Sequence, residues 1–151
     1  MSTRTVKEPI GRQLALTAKL VAQEFNAALL EAGGSIPTWL VLNMLLHENW
    51  GNQHSIARAL GIEGATLTRH LDALEQAGLV VRRRDAADRR AIHVEPTDAG
   101  RKLHGELLGA ALAFDKRFRA GFDDAELEQL RALLLRIEEN FGRPESGAPE
   151  A

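Results

Sequence analysis

Apolar residues recur at helical spacing through most of this chain, and the pattern breaks only where glycine, proline or a charged run interrupts it. From Ile10 to Leu30 the positions Leu14, Leu16, Leu20, Val21, Phe25, Ala28 and Leu29 predict one long helix, which Gly33-Gly34 stops. Ser35-Ile36-Pro37 opens a second helix, with Ser35 or Thr38 as its cap and Pro37 tolerated in a first turn, running from Trp39 to about Glu48. A break over Asn49 to Asn52 precedes a short helix, Gln53 to Leu60, that ends on Gly61. From Gly61 to Gly78 a tight turn leads into an amphipathic helix with Leu67, Leu71 and Leu74 on one face. Leu79-Val80-Val81-Arg82-Arg83 then reads as a strand, with Ile92-His93-Val94-Glu95 as its antiparallel partner. Thr97 caps a long fifth helix carrying Leu103, Leu107, Leu108, Ala111, Leu112, Phe114 and Phe118 and ending near Gly121. Asp123 with Glu126 gives a capping box before the last helix, whose apolar positions are Leu127, Leu130, Leu133, Leu134, Ile137 and Phe141.

The predicted fold is therefore mainly α with a small β-hairpin wing: a winged helix-turn-helix flanked by long N- and C-terminal helices. A single domain spans residues 10–141, with its core at 35–95 and the flanking helices at 10–34 and 97–141. Residues 1–9 are expected to form a flexible arm, and 142–151, rich in Pro, Gly, Ser and Glu, a disordered tail. Ala57 followed four residues later by Gly61 matches helix-turn-helix spacing, with Ala57 small because two helices cross closely there. The flanking helices carry more apolar surface than a small winged domain can cover, so they are expected to pair with a second copy as a two-fold homodimer.

The amphipathic helix turns a small, hydrogen-bonding face outward: Ala65, Thr66, Arg69, Asp72, Ala73 and Gln76. Such a face suits the DNA major groove, where short side chains allow close approach and Arg69 reaches guanine or phosphate, while Asp72 repels phosphate. The wing adds five arginines, Arg82, Arg83, Arg84, Arg89 and Arg90, within nine residues that also hold Asp85 and Asp88. Asp88 pairing with Arg90 would fix the shape of the loop and leave other arginines pointing outward. Net charge of −2 excludes a protein basic all over, so nucleic-acid binding must come from this local patch. The 151 residues contain no cysteine, which excludes disulfides, thiolate metal sites and thiol redox sensing within the chain. No apolar run approaches the roughly 20 residues that span a bilayer, and no signal segment precedes Pro9, so the protein is expected in the cytoplasm with no membrane partner.

Thr66 to Val80, then Asp88-Arg89-Arg90 and Thr97-Asp98-Ala99-Gly100, resemble the multiple antibiotic resistance regulator (MarR) family over roughly Ile10 to Phe141. That family's wing signature is Asp-x-Arg followed after five residues by Leu-Thr; Asp88, Arg90 and Thr97 stand in those places, while Pro96 replaces the leucine. Glu63 departs too, standing where such proteins often start the recognition helix with Ser or Thr. The resemblance implies a dimeric transcriptional regulator, often a repressor, released from a pseudo-palindromic operator by a small molecule. By the same resemblance Thr66, Thr68, Arg69 and His70, beside Ala65, enter the major groove, Arg89 or Arg90 enters the minor groove, Asp88 positions the wing, and Arg84 adds positive charge. Gln53 and Ser55, at a helix N-terminus, are expected on phosphate. An aromatic or phenolic effector would lie near Arg12, Trp39, Asn43, His47 and Trp50, for which packing alone is an equal reading of the two tryptophans.

No catalytic constellation, metal spacing or glycine-rich phosphate loop is present; His54, His70, His93 and His104 are scattered, and no cofactor is expected. A second reading is a winged-helix protein that binds proteins rather than DNA. Its wing and outer helix face would be acidic or apolar, whereas these carry Arg69, Arg84, Arg89 and Arg90.

Overall fold

A computed structural model describes residues 9–47 and 52–142. The element order is α1 (Ile10–Glu31), α2 (Ile36–His47), α3 (Gln53–Leu60), α4 (Gly64–Gln76), β1 (Val80–Arg84), β2 (Ile92–Pro96), α5 (Asp98–Phe118) and α6 (Asp124–Asn140). This is the expected mainly helical fold with one antiparallel hairpin. Nearly all of the expected arm and tail, and Trp50, lie outside the described residues.

Local chemistry explains most boundaries. Gly33, at φ +91°, ends α1, and the Gly34 amide reaches back to the Leu29 carbonyl at 2.9 Å. Of the two proposed caps for α2, Ser35 is the one used, its hydroxyl accepting from the Thr38 amide at 3.3 Å. The break before α3 hides a cap that sequence reading passed over: the Asn52 side chain accepts from the His54 amide at 2.8 Å. Gly61 closes α3 in the left-handed conformation. Glu63 stands at the N-cap of α4 with no side-chain cap bond, so the departure noted there has a structural counterpart.

The chain divides into two compact units, Met1–Phe114 and Asp115–Ala151. In the first, Leu29, Leu42, Ile56, Leu67, Leu71, Val80 and Leu107 form a fully buried core, with Ala57 6% exposed beside it. The hairpin pairs Val80 with Pro96, Arg82 with Val94 and Arg84 with Ile92, so Val80 and Arg82 share the inward face and Arg83 the outward one. Pro96 sits at the last rung, where a missing amide does least harm. A further bridge joins His93 to Asn52, tying the wing to the start of α3.

The run Thr97-Asp98-Ala99-Gly100 locks the start of α5 onto Gly78 and Leu79, between α4 and β1. The Thr97 hydroxyl donates to the Gly78 carbonyl at 2.6 Å and accepts from the Gly100 amide at 3.1 Å, while the Thr97 amide donates to Leu79 O at 3.0 Å. Gly100 is buried in this joint, and a Cβ there would lie 2.1 Å from the Leu79 carbonyl oxygen.

The second unit comprises the end of α5 and α6. Its turn is set by the expected capping box: Asp123 accepts from the Glu126 amide at 2.8 Å and Glu126 from the Asp123 amide at 2.9 Å. No residue of α6 is buried, and Leu133, Leu135 and Ile137 are exposed. Among the described residues no single helix is long and apolar enough to cross a membrane, although α1 and α2, bent by 74°, pass that test together by length and composition.

Candidate nucleic-acid interface

Helix α4 presents two distinct faces. Leu67 and Leu71 are fully buried and Leu74 nearly so, whereas Ala65, Arg69, Ala73 and Gln76 are exposed and Thr66, Thr68 and His70 half-buried. A bond between helices fixes the start of α4: Gln53 Nε2 donates to Thr68 Oγ1 at 2.9 Å, and the Thr68 hydroxyl donates to the Gly64 carbonyl at 2.9 Å. Both expected DNA contacts therefore have an internal partner, and together they hold the crossing of α3 and α4. Gln53 Oε1 is buried with no partner among the described residues. Ser55 lies half-buried in the first turn of α3.

Asp72 does not stand free on the outer face, as its expected repulsion of phosphate requires. Arg82 reaches back from β1 and pairs with it, and donates Nη2 to Glu75 at 2.7 Å and its own amide to the other Glu75 oxygen at 3.2 Å. The Arg82 hydrogen bonds hold the Glu75 carboxyl below its ordinary pKa, and the two carboxylates hold the Arg82 pKa above its ordinary value. Of the five wing arginines, this one is neutralised by the recognition helix. The residue behind it in sequence, Arg83, turns outward and pairs loosely with Glu95 at 3.7 Å.

The wing tip is shaped by its two aspartates, though not by the Asp88–Arg90 ion pair expected. Asp88 instead accepts from the backbone amide of Arg90 at 2.9 Å, an Asx turn that leaves the guanidinium out of the bond. Asp85 accepts from the Ala87 amide at 2.7 Å and meets His93 Nε2 at 2.8 Å, and the His93 bond leads the causes that lower its pKa. Arg84, Arg89 and Arg90 are exposed, and among the described residues these three and Arg69 have no ion-pair partner. Thr68 and Gly64 of α4 line one cavity with Arg90 of the wing, so the two elements present their polar groups to a common space.

The residues expected around an effector are partly assembled. His104 of α5, 6% exposed, stacks on Trp39 with ring centroids 5.3 Å apart and planes 7° from parallel. Its Nε2 hydrogen-bonds Asn43 Oδ1 at 3.1 Å, and His47 packs against it at 5.3 Å. Trp39, Asn43 and His47 thus share a face, as their spacing of four predicts, and their common neighbour is a histidine that sequence reading left among the scattered ones. The signal was its place between Leu103 and Leu107 on the apolar stripe of α5. Arg12 is exposed near the start of α1. Among the described residues no group of three metal-binding side chains occurs.

Burial first, and His47 second, hold His104 below its ordinary value of 6.5. As pH falls through that value the unfolded chain takes up a proton that the native one resists, so the stability contributed is complete above it and declines below. Unfolding free energy is expected to fall as the pH drops below about 6.5, by at most about 1.4 kcal/mol per pH unit from this group. Urea titrations of His104→Gln, which keeps a donor for Asn43, should show a shallower fall; an unchanged slope would remove His104 as its source.

A helix-turn-helix whose second helix leads straight into an arginine-rich hairpin defines a winged helix-turn-helix protein. Residues 35–92 match the family model described as MarR family. The crystal structure of the transcriptional regulator PA3341 is 33% identical, with 89% of this chain and 98% of that one covered and a TM-score of 0.71. CouR from Rhodococcus jostii RHA1, solved bound to p-coumaroyl-CoA, is 29% identical over 89% of this chain and 95% of its own, with a TM-score of 0.72. MepR of S. aureus, solved as a DNA complex, shares the fold at a TM-score of 0.78 and 21% identity, over 89% of this chain and 99% of its own. The chain belongs to the MarR family of transcriptional regulators. Proteins of this family are regulators of transcription, not enzymes.

Proposed function

We propose that residues 10–141 work as one unit of a homodimeric repressor that binds a pseudo-palindromic operator and is released by a small aromatic or phenolic ligand. The observation that carries the DNA-binding reading is the pairing of the exposed outer face of α4 around Ala65 and Arg69 with wing arginines that have no ion-pair partner among the described residues. Ala65, Thr66, Arg69 and His70 are assigned to base edges, with Gln53 and Thr68 holding the helix at the groove. Ser55 and Arg84 are assigned to phosphates, Arg89 or Arg90 to the minor groove, and Asp88 to shaping the tip. The MepR–DNA complex supports the use of this fold on a duplex. Dimerisation is supported by apolar side chains left exposed within each unit, such as Ile10, Leu16 and Leu20 of α1 and Leu133 and Leu135 of α6. The effector site is placed at Trp39, Asn43 and His47 beside His104, with Arg12 and Trp50 as further members, and CouR with its phenolic acyl thioester supports the ligand class.

The test is selection of duplexes from a random-sequence pool, followed by titration of the enriched sequence at several salt concentrations. Log affinity is expected to fall linearly with log salt, by about 0.9 per phosphate neutralised. Arg69→Ala should cost about 1 to 3 kcal/mol and relax preference at one base position of each half-site. Absence of any enriched, salt-sensitive duplex at low ionic strength would end the reading.

A further inference from the structure

Between α3, the start of α4 and the tip end of the wing lies a notch of about 450 Å³, with Arg58 and His54 of α3 and Arg90 of the wing in its walls. Ala57, Ile62 and Ile92 give the same notch an apolar side, and among the described residues no carboxylate lines it. Gly61 and Gly64 also line it, with nothing within 4 Å of where a Cβ would be, so no neighbouring atom crowds those two positions.

The charges make this arrangement informative. Two exposed arginines line this one concavity, and like charges near one another repel, whereas elsewhere in this protein such a charge is met by carboxylates, as Asp72 and Glu75 meet Arg82. Neither Arg58 nor Arg90 has an ion-pair partner among the described residues. Gly64, the first residue of α4, also lines the notch, and its helix start has no side-chain cap bond. An anion is the missing partner, and the apolar side calls for one attached to a sugar or similar body rather than a free inorganic ion.

We propose that Arg58 and Arg90 close together on a single phosphate of the duplex backbone, with the adjoining sugar against the apolar side of the notch. This rests on the duplex-binding reading above and deepens it. One phosphate then joins α3 to the wing, and the arginine free to enter the minor groove is Arg89, its neighbour Arg90 being held at the backbone.

The experiment uses the full chain and the duplex enriched by the wild-type protein, with single phosphates replaced in turn by neutral methylphosphonates. Arg58→Ala and Arg90→Ala are each expected to weaken binding about fivefold to tenfold at low salt, and both losses should vanish on the same methylphosphonate duplex. The Arg89→Ala loss should persist on it. The double variant should lower the salt slope by about one, one phosphate's worth, not by about two. Arg58→Gln, which keeps more of the side chain's volume, repeats the test should the alanine variant unfold. Losses that map to different phosphates, a slope change of about two, or wild-type affinity in Arg58→Ala and Arg58→Gln would overturn the proposal. Failure of the wild-type protein to enrich any duplex would overturn the duplex-binding reading itself, before any variant is compared.

Discussion

Gly100→Ala is expected to destabilise the protein by about 3 kcal/mol, although the same change on an open helix surface stabilises by about 1 kcal/mol. The two effects have opposite signs, so the outcome decides which one governs the site. Alanine lowers the entropic cost of helix formation, and α5 would gain from it. Against that, the new Cβ would lie 2.1 Å from the carbonyl oxygen of Leu79, and the opposing atom is backbone that no rotamer change can move. That carbonyl already accepts from the Thr97 amide, and Gly78 beside it accepts from the Thr97 hydroxyl, so the joint cannot open without losing both bonds. Gly105→Ala, on the same helix with nothing within 4 Å of its Cβ, is the control and should leave stability unchanged or raise it. Urea unfolding at one matched protein concentration measures both, because a dimer's apparent stability depends on concentration. Equal or greater stability in Gly100→Ala would mean that α5 can move away from Leu79, and that the Thr97-Asp98-Ala99-Gly100 lock is weaker than its geometry.

What sequence could reveal here follows the range of the interaction. Leu67, Leu71 and Leu74 declare a helix and its buried face within eight residues, and Gly61 and Asp123 declare boundaries because capping is a bond to the chain's own near neighbours. Thr97 was readable as a cap for the same reason, but its second bond, to Gly78, was not, since it spans the whole hairpin. The site shows the same division. The arginine-rich wing was plain in composition, yet five arginines look alike until the register places Arg82 on the inward face with Val80 and turns Arg83 outward. Asp88 stands out in sequence as a turn residue, but whether it meets the Arg90 side chain or the Arg90 amide is not legible there, and the structure has it on the amide. Gln53 with Thr68, and His104 with Asn43, join residues from different helices, and residue type alone gives no distance.

Arg82→Ala should reduce affinity for the selected duplex by roughly tenfold or more at low salt, although Arg82 itself is turned away from the outer face. The side chain is only 21% exposed and is the shared counter-charge of Asp72 and Glu75, which are 49% and 40% exposed. Removing it leaves two carboxylates uncompensated on the helix assigned to the major groove. Two mechanisms then predict a loss: repulsion of phosphate by those carboxylates, and displacement of a wing that has lost its tether. The first is expected to dominate, because β1 follows α4 after a short turn and Val80 and Val94 stay buried without Arg82. Salt separates the two, since the Debye length is about 10 Å at 0.1 M and repulsion between exposed groups is screened beyond it. The ratio of wild-type to variant affinity should therefore narrow as salt rises, and adding Asp72→Asn and Glu75→Gln to Arg82→Ala should restore most of the binding. Arg82→Lys should recover only part, because an ammonium lacks the fork that reaches both carboxylates. A ratio that stays constant with salt, with no recovery in the triple variant, would assign Arg82 to holding the wing instead. Wild-type affinity in Arg82→Ala would show that neither the carboxylates nor the tether bears on the duplex.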